Sequence, residues 1–263
     1  MFGLFENKPL LEESSSQWLF DAFGWALENF DADIFYQHTV LVLPTNEFFP
    51  GRADSEQAMA LLMLNQVKRY ACIAHWPTEV LDHRSCAVET TPQIAISGQL
   101  RDANATDSPL VAHTPALQIP YNPQQINNPE GMIATFAHTL AHYLGQMAKQ
   151  PPPGGAEFWP HVTEVLAIYL GFGLMFANSA YTFKGSCASC YNPNANRDAY
   201  LSELQSVYGL AIFAVLKDLP DAAVSTHLKS HLRGFYRKAV KQIRQRSGDI
   251  EILKQQQPSL AAG

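Results

Sequence analysis

Two histidines four residues apart, His138 and His142, are the residues of this chain best placed to do chemistry. In an α-helix, positions i and i+4 lie one turn apart on one face, so both imidazoles can point at a single ion. Zinc suits that arrangement, because it takes neutral imidazole and carboxylate in a four-coordinate site. A third ligand is needed. Glu164 opens the next apolar helix, which the proline–glycine turn Pro151 to Gly155 folds back on the first. A carboxylate in an apolar helix–helix contact is costly unless it is paired or metal-bound. His161, one turn earlier, is a reserve ligand or a partner that orients one. The spacing by itself is a weak signal. His227 and His231 share it, in a stretch rich in Lys and Arg that reads as an ordinary solvated helix face.

The elements that must position these residues follow from pattern. Asn128-Pro129-Glu130 is a strong helix start, with a capping side chain, a proline at the first helical position and an early acid. From there Ala134, Phe136, Leu140 and Leu144 carry a helix. A second helix begins near Trp159 and holds the apolar run Val165 to Ala177, which is too short to span a bilayer and reads as buried. Gly171 and Gly173 allow a close helix crossing. A third helix is expected over Asp198 to Leu216 and a basic one over Ala223 to Arg246.

Upstream, the period of Leu19, Phe23, Ala26, Leu27 and Phe30 predicts a helix over Ser15 to Phe30. A second is expected to begin at Asp54, with Gln57 placed for a capping box. Thr39 to Leu43, Cys72 to Trp76, Gln93 to Ser97 and Ala116 to Pro120 read as short strands. Arg101 to Ser108 is polar and reads as an exposed loop. Strands first and helices after predict an α+β fold, a small mixed sheet packed by helices. We expect one domain over 1–263, with a mixed part at 1–127, a helical part at 128–250 and a flexible tail at 251–263.

Met132 to Leu144, MIATFAHTLAHYL, resembles the active-site helix of zincin metallopeptidases, whose motif is H-E-x-x-H. Thr163-Glu164-Val165-Leu166, followed by Leu170-Gly171-Phe172-Gly173, resembles the glutamate-bearing helix of the gluzincin branch. Leu43-Pro44-Thr45-Asn46 with Phe49-Pro50-Gly51, and Tyr200-Leu201-Ser202-Glu203, look like further parts of the pattern in bacterial proteins with this signature. The resemblance is specific over 132–180 and vague elsewhere. It implies a zincin-like fold, one zinc ion held by His138, His142 and Glu164, and a substrate-binding strand edge at Ala116 to Pro120.

The match fails at one position. Where the family places its general base, this chain has Thr139. That glutamate takes a proton from zinc-bound water and passes it to the leaving amine. A threonine hydroxyl is too weak an acid or base near neutral pH for either step. General acid–base work is typically worth about 10²–10⁴-fold in rate, so its loss predicts a zinc-binding protein with impaired or absent peptidase activity. The hydroxyl is expected to bond back to the Thr135 carbonyl. The reading we favour is a metal-binding pseudoenzyme used for recognition. The alternatives are proton transfer by Glu157, His161, Glu203 or Tyr208, and an inactivating substitution at Thr139. A metal-free interaction protein on the same scaffold is the competing class.

The remaining features narrow the field. The net charge is −6 and only 16% of residues are charged, which argues against nucleic acid; a peptide or protein ligand is what the metallopeptidase resemblance implies. The N-terminal stretch lacks a secretory pattern, so a cytoplasmic protein with free thiols at Cys72, Cys86, Cys187 and Cys190 is expected, with no membrane association. Cys187 and Cys190 have the spacing of a metal knuckle but read as a loop with two thiols. Tyr200 and Tyr208 read as core or rim residues.

Overall fold

The computed structural model describes residues 8–82, 99–106, 116–183 and 200–256. Helices dominate, and the described strands form one small sheet, which makes the fold α+β in the broad sense. Helix α1 (Glu13–Asn29) and the short α2 (Ala32–Gln37) precede α3 (Glu56–Tyr70). Strands β1 (Thr78–Asp82) and β2 (Leu117–Tyr121) pair in parallel, with Val80 opposite Ile119. Helices α4 (Pro129–Gly145), α5 (Trp159–Ala167), α6 (Gly173–Phe183), α7 (Glu203–Leu216), α8 (Asp221–Ser225), α9 (Leu232–Gln245) and α10 (Ser247–Gln255) complete the chain.

The core runs along α4, α5, α6 and α7 and is closed by α1 and α9. Residues Val162 to Ala177 are buried throughout. The stretch Ala156–Ser179 is long and apolar enough to cross a membrane by length and composition, but 94% of its apolar window is packed inside the protein. It is the central strut of the core.

Its two helices are separated by a break at Gly171, where φ is +102°. There the chain meets the segment after α2: Val42 N–H donates to the Gly171 carbonyl at 2.9 Å. Residues 39–43, expected as a strand, form no strand and lie outside the β1–β2 sheet. Gly173 serves the close crossing with α7, since a Cβ there would lie 2.9 Å from Leu210 Cδ1.

Several local expectations change for identifiable reasons. Ser55, not Asp54, caps α3, because its hydroxyl accepts from Ala58 N–H. Cys72 to Trp76 is a turn, with Cys72 at φ +60°. Residues 93–97 lie outside the described residues. Helix α7 starts at Glu203, because Ser202 and Gln205 form a complete capping box that fixes the start there. The basic helix is two helices, broken between Ser225 and Leu232. His227 and His231 consequently do not share a helical face. Residues 251–255, assigned above to a tail, are helical, and Leu253 is buried.

The largest correction concerns Arg101, expected in an exposed loop. It is 0% exposed. Its guanidinium donates to the Ala71 carbonyl at 3.0 Å, the Phe30 carbonyl at 3.3 Å and Thr39 Oγ1 at 2.7 Å. Residues 107 and 108 lie outside the described residues.

Candidate functional site

Helix α4 forms as its sequence demands. The Asn128 side chain accepts from Gly131 N–H at 3.1 Å, and Pro129 occupies a position whose N–H has no helical partner. Met132, Ile133, Phe136, Ala137, Leu140 and Leu144 bury one side against α5, α6 and α3. His138 and His142 fall together on the flank of this apolar side: His138 is half-buried and His142 exposed.

Strand β2 runs directly into this region and is tied to α4 by Tyr143, whose hydroxyl donates to the Gln118 carbonyl at 3.2 Å. The turn joining α4 to α5 is gripped by α1. The Trp18 and Trp25 indoles donate to the Pro153 and Gln150 carbonyls, both at 3.0 Å, and Lys149 N–H donates to Asn29 Oδ1. Helix α5 is thereby folded back along α4, and Gly145 leaves room for Trp159 and Leu166.

Thr139 sits between the two imidazoles in sequence. Its hydroxyl donates to the Thr135 carbonyl at 3.0 Å, and the Thr135 hydroxyl does the same to Gly131. The group standing where a general base is expected is thus bound to its own helix. Partial desolvation lowers the His142 pKa, which favours the neutral imidazole. Its Nε2 lies 2.9 Å from Gln146 Nε2.

Glu164 is fully buried on α5. Its Oε2 accepts from Leu201 N–H at 2.9 Å and its Oε1 from Tyr200 N–H at 3.3 Å. The carboxylate therefore holds the chain leading into α7. His161, one turn earlier, faces the same segment. Its ring packs 5.8 Å from Tyr200, 5.6 Å from Phe158 and 6.3 Å from Trp18. Its Nδ1 is buried and lacks a hydrogen-bond partner.

Other sequence candidates go elsewhere. Glu203 Oε1 lies 2.9 Å from His231 Nε2. The buried Tyr208 is joined to Arg246, close to Glu13 and Asp249, and its phenol pKa is raised mainly by burial. Glu157 is exposed on the single turn before α5. Cys72 is a buried free thiol, its pKa raised by burial. Cys86, Cys187 and Cys190 lie outside the described residues.

Taken as a zinc site, this donor set fits in part. The paired imidazoles of α4 are suitable donors. Among the described residues, however, no three His, Cys, Asp or Glu side chains are grouped to hold a metal ion. Glu164 and His161 are brought together with Tyr200, and both Glu164 oxygens carry backbone bonds. No protein family, curated protein or solved structure matches the chain.

The role of Glu164 at the α7 entry is open to a direct test. We expect Glu164→Gln to destabilise the fold by about 1–3 kcal/mol, because an amide nitrogen would face a buried N–H donor. Urea denaturation with zinc and with a chelator separates two roles. A backbone-holding carboxylate gives the same loss in both; a zinc ligand gives a larger loss with zinc.

Proposed function

We propose that this chain is a zincin-like protein that binds zinc through His138 and His142 and has impaired or no peptidase activity. Recognition of a peptide or protein is then its use. The observation that carries the reading is the Thr139 hydroxyl bonded back to Thr135, on the helix turn that bears both imidazoles. A group held in that way, and too weakly basic in any case, abstracts no proton from water. The lowered His142 pKa supports metal binding, since it weakens the competition of protons for the imidazole. Zinc, when bound, would supply a Lewis-acidic centre. The chain's own contribution is to hold two imidazoles on a rigid, capped helix beside β2. Whether α5 supplies Glu164 or His161 as a further donor is part of the proposal.

A second reading is favoured by a different observation. Both Glu164 oxygens carry backbone hydrogen bonds, which suits a metal-free interaction protein with a zincin-like scaffold. Metal content separates the two. Protein purified without chelators or a histidine tag, then equilibrated with zinc, is expected to hold about one zinc per chain. A His142→Ala control should hold almost none. Wild type that stays empty after zinc is supplied overturns the metal assignment and leaves the scaffold.

A further inference from the structure

Helix α9 concentrates positive charge on an acidic protein. Residues 222–248 contain no Asp or Glu, although the net charge of the chain is −6. The apolar side of α9, Leu232, Tyr236, Ala239, Val240 and Ile243, is buried, chiefly against α7. Arg233, Arg237, Lys241 and Arg244 stand at i, i+4, i+8 and i+11, so they form one stripe, and all four are exposed.

The stripe is held in place but not neutralised. Arg233 donates from Nε and Nη2 to the Leu228 and Thr226 carbonyls at 3.0 and 3.2 Å, and Arg237 Nε donates to the Arg233 carbonyl at 3.2 Å. Each guanidinium keeps further N–H groups for an anion. Among the described residues, no carboxylate pairs with Arg233, Arg237 or Lys241. Arg244 reaches only Asp221, at 3.5 Å, with both side chains open to solvent. Like charges one turn apart repel and cost helix stability, so an acidic surface laid along the stripe relieves that repulsion.

The chain carries a complementary surface elsewhere. Helix α1 has no Lys or Arg. Its Asp21 and Glu28 are exposed on one face, with Gly24 between them. All three line a groove of about 400 Å³ between α1, the 150–153 turn and α10, with Phe20, Trp25 and Leu253 as its apolar floor. The two carboxylates accept only from side-chain amides, Asp21 from Gln17 and Glu28 from Gln256, and neither has an ion pair among the described residues. The spacing of the two surfaces agrees. Asp21 and Glu28 are seven residues apart, and so are Arg237 and Arg244. On a helix that is two turns, or about 10 Å. Within one chain these four residues do not pair with each other.

We propose that α9 of one copy of this chain lies along the α1 groove of a second copy, with Arg237 and Arg244 against Asp21 and Glu28. A two-fold arrangement that makes this contact twice closes a dimer. A second copy suits α9 better than nucleic acid or an anionic membrane. Those present a wide field of one sign, which also meets the acids spread over the rest of the chain, whereas a groove of helix width meets α9 alone. The pairs stay open to solvent, so the association is weak and salt-sensitive. It does not involve the histidine face and is independent of the zinc reading.

Sedimentation equilibrium of the full chain at about 50 mM and about 500 mM salt tests it. Wild type should self-associate at low salt and be monomeric at high salt. Net charge alone predicts the reverse, since acidic copies repel most at low salt. Arg237→Gln should weaken the association by about two- to fivefold, in keeping with a solvent-accessible ion pair. Arg237→Glu with Arg244→Glu, and Asp21→Arg with Glu28→Arg, should each give a monomer with the circular dichroism of wild type, because all four side chains are exposed. Mixed one to one, the two double variants should associate, since each keeps the face the other has lost, although both remain net negative. Arg69→Glu, an exposed charge change on α3, should associate as wild type does, and so should His142→Ala. Wild type that stays monomeric at low salt overturns the proposal. So does association that survives both double variants, or a mixture of folded double variants that stays monomeric. A monomeric wild type that binds a glutamate-rich peptide through Arg237 also overturns it and assigns α9 to an acidic partner.

Discussion

Gly171→Ala is expected to remove most of the folding stability, more than about 4 kcal/mol. Two separate costs meet at this position. The residue has φ +102°, a conformation that costs an L side chain about 1–2 kcal/mol. A Cβ there would also lie 2.2 Å from the Val40 carbonyl oxygen. That neighbour is backbone in a segment bonded to Gly171 itself through Val42, so relief requires the strut and the 39–43 segment to part. Two controls divide the effect. Gly155 has φ +81° with nothing within 4 Å of an added Cβ, so Gly155→Ala should cost only the conformational part, about 1–3 kcal/mol. Gly173 has helical angles, and its close neighbours, Leu210 and Ile168, are side chains that can shift. Alanine there also gains about 1 kcal/mol of helix propensity, so its net loss should be small. Urea midpoints should rank the losses with Gly171 far above the other two. A Gly171→Ala protein as stable as Gly155→Ala would mean that the close approach to Val40 does not exist.

Arg101→Met should cost about 3–5 kcal/mol. The arginine joins pieces of chain far apart in sequence: the end of α1 through Phe30, the 39–43 segment through Thr39, and the end of α3 through Ala71. Its guanidinium also lies 5.4 Å from the centre of the Tyr169 ring, and the Tyr169 hydroxyl donates to the same Phe30 carbonyl. Methionine fills much of the volume but strands these acceptors in the core. Arg101→Lys keeps the charge yet loses the planar fork that reaches three acceptors at once, so it should fall between wild type and Arg101→Met. Chemical denaturation measures both.

A second readout comes from Lys217, which donates to the Phe35 and Tyr36 carbonyls. Burial first, and the Arg101 charge second, push its pKa down to about 8. A lysine depressed in the folded state binds fewer protons than the unfolded chain above that pH. This group therefore makes stability rise with pH between about 8 and its unfolded value of about 10.4. Removing Arg101 should shrink that rise, whereas a merely steric role for the arginine would leave it unchanged.

Much of the candidate site was legible because it depends on short-range rules. Asn128, Pro129 and Glu130 announce the start of α4 through hydrogen bonds and dipoles within one turn. The bond from Thr139 to Thr135 follows from helix geometry alone. Strand β2 was placed to within a residue by its β-branched and turn chemistry. By contrast, Arg101-Asp102-Ala103-Asn104 reads as solvent-exposed because polar residues usually are. Only the convergence of three distant carbonyl and hydroxyl acceptors makes it cheaper to bury the arginine there.

The sequence by itself determined which helix carries the imidazoles, where that helix begins and that a threonine, Thr139, follows the first of them. These are matters of residue identity and i to i+4 spacing. The tertiary structure decided what Glu164 touches, that His161 packs among Trp18, Phe158 and Tyr200, and that Tyr208 belongs with Arg246. A side chain's partner across tens of residues is set by how helices cross and loops close, and no local pattern encodes that geometry.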